Sequence, residues 1–129
     1  MNKTILLLLC SSIFFACQES LEERCAREAK EYTEKKCPAP IGTNMVIDSM
    51  TFDRSTHTLH YFYTLNCDTA SQANINRQYA YNMLLEQIKN ATSIKEYKAA
   101  GFNFAYTYYS SNDKNKKLLE LKFSKKDYE

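Results

Sequence analysis

The chain has 129 residues, with 17 Lys and Arg against 15 Asp and Glu, two His and a formal net charge of +2. That length suits one domain burying about two-thirds of its unfolded surface without metal, and the balanced charge excludes a nucleic-acid binder, which needs a basic face. Ten Tyr and seven Phe stand beside no Trp, two Gly and two Pro, so regular structure should dominate and a Gly-rich phosphate loop is excluded.

The first element is a leader. Lys3 precedes the apolar run Ile5–Leu9, which resumes at Ile13–Ala16, directly before Cys17. The stretch falls short of the about 20 apolar residues that span a bilayer and has the size of a secretory signal. Ending in Phe14-Phe15-Ala16-Cys17, it resembles a bacterial lipoprotein signal, which implies cleavage before Cys17 and acylation of that cysteine. Each buried methylene contributes roughly 0.8 kcal/mol, so two or three chains hold a protein to a membrane. The alternative is an ordinary signal cut after Ala16, releasing a secreted domain. Gln18-Glu19-Ser20-Leu21-Glu22-Glu23 has no Asp at position 18, so it lacks the inner-membrane retention signal and looks like an acidic export tag. Acidic residues equally suit a helix N-terminus. The expected division is 1–16 signal peptide, 17–19 anchor and tether, and 20–129 a single domain, lipid-anchored in the cell envelope at the outer membrane.

Ser20-Leu21-Glu22-Glu23 has capping-box spacing, and Leu21, Cys25, Ala29 and Tyr32 then form one narrow apolar stripe. Glu31 and Lys35 fall at the favourable ion-pair spacing, and Pro38 and Pro40 end the helix near Lys36. Met45–Phe52 and Thr58–Leu65 alternate with period two around the turn cluster Asp53-Arg54-Ser55-Thr56, which reads as a hairpin. From residue 70 to 91 neither Gly nor Pro occurs, and Ile75, Tyr79, Met83, Leu84 and Ile88 keep helical spacing. A kink near Ala91 precedes a short helix with a second capping-box spacing, Ser93 to Glu96, closed by Gly101. Phe102, Phe104, Tyr106 and Tyr108 alternate with Asn103, Ala105, Thr107 and Tyr109. Ser110–Asn115 turns, and Leu119, Leu121 and Phe123 alternate again. The economical packing is an α+β two-layer sandwich in α-β-β-α-β-β order, a four-stranded antiparallel sheet with helices on one face.

Pro38, Ile47-Asp48-Ser49-Met50, Leu59-His60-Tyr61-Phe62-Tyr63-Thr64-Leu65 and Gly101-Phe102-Asn103-Phe104-Ala105-Tyr106-Thr107-Tyr108 together resemble an uncharacterised family of small secreted bacterial proteins. The resemblance covers roughly residues 37 to 124. It implies the fold and an envelope location but no activity. Some relatives carry a cysteine after the long helix, where this chain has Asn90-Ala91-Thr92.

Cys25, Cys37 and Cys67 remain beyond Cys17, and export favours disulfides. On one helix Cys25 and Cys37 would lie about 18 Å apart, against a bridging limit of about 7 Å. If the hairpin turns at residues 54–56, Cys67 lies beside Asn44 within reach of Cys37. The expected bridge is Cys37–Cys67, with Cys25–Cys67 as competitor and roughly 2–4 kcal/mol of stabilisation. His57 and His60 point to opposite faces of a strand and cannot chelate together, so no metal site is expected. No nucleophile elbow or acid pair is present, Asp48 and Asp53 being separated along the hairpin, so neither an enzyme nor a cofactor is expected. Asp48-Ser49-Met50 and Asp68-Thr69-Ala70 look like short O-glycosylation acceptors of exported bacterial proteins.

The strand tyrosines Tyr61, Tyr63, Tyr106 and Tyr108 are both candidate core and a candidate binding face, since Tyr61-Phe62-Tyr63 and Tyr106 to Tyr109 are aromatic on two faces. Tyr offers large contact area at low entropic cost. The expected function is a membrane-anchored, non-enzymatic module binding a protein partner, of inhibitor or immunity type. The alternative is a structural accessory subunit of an envelope or outer-membrane assembly.

Overall fold

Ser20 caps the first helix of the described residues. In the computed structural model, which describes residues 18–66 and 75–129, its hydroxyl accepts from Glu23 N at 3.1 Å while the Glu23 carboxylate accepts from Ser20 N at 3.1 Å. The capping box is therefore formed, and α1 (Leu21–Lys36) follows it. The expected leader, Cys17, Cys67 and Asp68-Thr69-Ala70 lie outside the described residues. The predicted stripe faces inward, with Cys25 and Ala29 each 1% exposed. Glu31 pairs with Arg27 rather than Lys35.

Five strands follow, not four. They are β1 (Ala39–Ile41), β2 (Met45–Asp53), β3 (Thr58–Leu65), β4 (Asn103–Ser110) and β5 (Lys117–Phe123), in that spatial order. Two hairpins form where alternation predicts them, β2 with β3 and β4 with β5. The all-antiparallel sheet is corrected on two counts. β1, a short proline-bearing edge strand, pairs with β2, and β3 runs parallel to β4 in unbroken register from Thr58↔Asn103 to Leu65↔Ser110. Parallel neighbours need a crossover of a dozen or more residues, roughly what a helix provides. Here α2 (Arg77–Asn90) and α3 (Lys95–Ala99) lie between β3 and β4 and carry the chain back to the end where β3 began. The fold is α+β with a mixed sheet.

A bulge sets the faces of β2. Register shifts between Ile47↔Tyr63 and Ser49↔Phe62, so Asp48 is the extra residue. Ile47 and Met50, three apart, thereby share the face of Tyr63 and Tyr61, which strict alternation forbids. On that face Leu59, Phe104, Tyr106, Leu121 and Phe123 build the core beneath the helices, with Phe104 wholly buried.

The crossover ends as its glycine predicts. Gly101 has φ +78°, its N–H donates to Lys98 O, and Phe102 N donates to Tyr97 O, the double closure of a left-handed helix cap. The second capping box does not form, because Ile94 takes the N-cap position of α3 and no side chain caps it. Ser124 instead caps a terminal turn, α4 (Lys125–Tyr128), with Asp127 returning a carboxylate to Ser124 N at 2.7 Å. Tyr128 folds back beneath the sheet end and donates to Phe102 O at 2.9 Å.

Candidate functional site

Among the described residues, the helices do not roof the sheet evenly. α1 packs over β2, while α2 packs against β5 and α4. Between them, over β3, runs a groove of about 470 Å³. Its floor is Tyr61 and Tyr63 with Met50 and Leu59, one wall is Cys25, Ala29 and Tyr32 of α1, and the other is Ile94 and Tyr97. Ile41 of β1 forms the lip and is 41% exposed.

The tyrosines form a ladder because registered strands set their Cβ atoms side by side. Tyr61 stacks on Tyr106 at 4.9 Å and Tyr63 on Tyr108 at 5.0 Å, with Tyr63 to Tyr106 at 6.5 Å. The structure thus brings all four candidate residues together and divides their roles. Tyr106 and Tyr108 are 6% and 7% exposed and belong to the core, while Tyr61 and Tyr63 are half-buried and reach the groove. Burial raises the phenol pKa of Tyr61, Tyr63 and Tyr106, and brings Tyr108 to about 12. All four hydroxyls therefore stay protonated at neutral pH.

An α1–α3 clamp closes one end of the groove. Arg24 ion-pairs with Glu96 and lies 5.4 Å over the Tyr97 ring, and the Tyr97 hydroxyl donates to Glu28 at 2.5 Å. Cys25 sits beside this clamp. Burial, with Glu28 adding to it, pushes the thiol up to about 12, against the opposing pull of Arg24. A thiol so held is not a nucleophile. The groove offers apolar area, neutral hydroxyls and the Glu28 carboxylate, which is engaged by Tyr97, a surface that suits binding.

Other sequence-singled residues lie elsewhere. Cys37 is a free thiol, as is Cys25, and the expected Cys37–Cys67 bridge has no support. Cys67, the other half of that bridge, lies outside the described residues. Asp48 accepts from the Thr64 hydroxyl at 2.6 Å and Asp53 from Ser55, so the two carboxylates do not meet. His57 lies 3.4 Å from Glu22, and His60 stacks on Phe62 on the opposite sheet face.

That opposite face carries one polar network. His60 Nε2 lies 2.7 Å from the Thr107 hydroxyl, which donates to Glu120 at 3.3 Å, and Lys117 donates to Glu120 at 3.0 Å. The residue types invite comparison with a hydrolytic triad. The order is wrong, since acid and imidazole both address the hydroxyl, and Thr107 is 1% exposed. A nucleophile must reach its substrate.

The chain matches the model of a domain of unknown function, DUF8479, over residues 20–119, and belongs to that family. No curated protein matches the chain. Among solved structures it is similar to a protein of Pseudomonas aeruginosa assigned as secreted, with TM-score 0.67 and 12% identity, covering 87% of this chain and all of that one. It is similar to the type 2 secretion system pilotin EpsS of Vibrio vulnificus, with TM-score 0.66 and 7% identity over 84% of this chain and 91% of that one. It is also similar to the type II secretion system pilotin AspS of Vibrio cholerae, with TM-score 0.60 and 11% identity over 82% and 90% of the two chains. With so little sequence in common, what is shared is the fold. No helix among the described residues is long and apolar enough to cross a membrane.

Proposed function

We propose that this member of the family is a non-enzymatic accessory subunit of a cell-envelope assembly, holding an apolar segment of a partner protein in the tyrosine-floored groove. The observation that carries the reading is the apolar groove that the described helices leave over β3. A two-layer sandwich ordinarily covers its sheet, and here half-buried Tyr61 and Tyr63 meet an apolar slot with exposed Ile41 at its lip. Aromatic residues in such settings supply most of the energy of protein docking. The fold shared with two secretion-system pilotins favours an accessory subunit over an inhibitor or immunity protein.

In the same proposal Cys17 carries the acyl anchor at the outer membrane. Two residues, Gln18 and Glu19, separate Cys17 from the Ser20 cap, a tether of three Cα steps and at most about 11 Å. The start of α1 would then ride close to the membrane, with the groove along its flank.

The test is affinity capture of the tagged, full-length protein from detergent-solubilised membranes, beside an Ile41→Arg variant. Co-purification of one envelope-assembly component, lost with Ile41→Arg, supports the reading. Equal recovery by both proteins, or recovery of none, refutes it. Intact-mass measurement of the mature protein decides the anchor independently.

A further inference from the structure

The sheet face opposite the groove holds a second depression, of about 620 Å³, where β2 turns into β3 and β5 runs into α4. Its floor is Ala105, which has no exposed surface and lies between His60 and Lys122 in one cross-strand row. Thr51 extends the same row, and Asn103 stands in the next one. The volume falls within the about 300–1,000 Å³ typical of small-molecule sites.

Polar groups converge here with bonding capacity to spare. Asn103 donates its amide to Thr56 O at 2.9 Å, which leaves the amide oxygen unused. Among the described residues, the Thr51 hydroxyl and the Lys122 ammonium make no hydrogen bond or ion pair with the protein. Asp53 and Asp127 line the same space, and hydrogen bonds from Ser55 and Ser124 hold their carboxyls below the usual range.

These groups discriminate between ligand classes. An anion would meet two ionised carboxylates. A metal ion lacks a ligand set, since no group of three His, Cys, Asp or Glu is suited to one among the described residues. An apolar ligand would bury donors and acceptors without partners, which is unfavourable. What fits is a neutral molecule that alternates donors and acceptors over an otherwise small, apolar body.

We propose that this depression is a saccharide site, in which Thr51, Asn103 and Lys122 address the hydroxyls of a neutral sugar ring seated over Ala105. It lies across the sheet from the groove, so a sugar and a protein partner can be held together, and it does not depend on the groove being a docking site.

The experiment follows backbone amide shifts of the full-length protein in detergent micelles, titrated separately with N,N′-diacetylchitobiose and with maltose. At least one sugar should give saturable shifts centred on Thr51, His60, Asn103 and Ala105, with Ile94 and Tyr97 unmoved. Thr51→Arg, which fills the space from an exposed position, should weaken binding at least about tenfold. Lys122→Glu, also exposed, provides the same test should Thr51→Arg perturb folding. The absence of saturable shifts with both sugars at tens of millimolar, or binding indifferent to both variants, would overturn the proposal.

Discussion

The Thr33 hydroxyl accepts from Met50 N at 2.8 Å and donates to Met50 O at 2.9 Å. β1 pairs only with Met45–Ile47, so beyond the Asp48 bulge no strand among the described residues lies beside the edge of β2. Thr33, one turn from the end of α1, takes the place of the missing strand residue. It satisfies a backbone donor and acceptor at once and fixes the wall of the groove relative to its floor. Thr33→Val removes both bonds and should lower unfolding stability by about 1–3 kcal/mol, whereas Thr33→Ser should keep most of it. Urea denaturation of the two variants measures the difference.

Core and surface aromatics should separate cleanly. Phe104 is wholly buried beneath the crossover, and Phe104→Ala should cost about 3–5 kcal/mol. Tyr79, 69% exposed on α2, should tolerate Ala within about 0.5 kcal/mol. Thermal or urea unfolding of the pair checks this.

A pH dependence follows from His60. Burial lowers its pKa from 6.5, Lys122 and Lys117 add to the lowering, and Glu120 opposes it. The unfolded chain therefore takes up a proton before the folded one does. Stability is complete above the unfolded value of 6.5 and declines as pH falls through and below it. His60→Gln should flatten that decline. Glu120 and Asp127, whose pKa values are lowered by hydrogen bonds from Lys117 and from Ser124, contribute stability that is lost at more acid pH, below about 4.5. Denaturation across pH separates the two windows.

The two described thiols should differ in reactivity. Cys25 is 1% exposed with its pKa near 12, whereas Cys37 is only partly covered. Pulsed alkylation of the native protein followed by peptide mapping should label Cys37 well before Cys25, and unfolding should equalise them.

Particular residues explain what was legible in the sequence. The Ser20 box, the α1 stripe and the Gly101 cap are local devices whose partners lie within a few residues, and each is found as read. The hairpins are equally local. β1 was not legible, because three residues with a proline look like a linker and become a strand only when β2 offers an edge. The Asp48 bulge hid behind an approximate alternation, though the three-residue gap between Ile47 and Met50 was its trace. Strand direction is a tertiary choice, and the crossover through α2 and α3 made the central pair parallel. The tyrosines were identifiable as a set. Their division into core and groove required knowing where α1 and α3 leave the sheet uncovered.

The docking groove is tested most directly by site-specific photo-crosslinking in living cells. A benzophenone amino acid replaces Tyr32 on the groove wall or, as control, Lys122 on the opposite sheet face. Tyr32 should yield one discrete adduct with a component of an envelope assembly, absent from Lys122 and suppressed by Ile41→Arg. No adduct from Tyr32, or the same adduct from both positions regardless of Ile41, would contradict it.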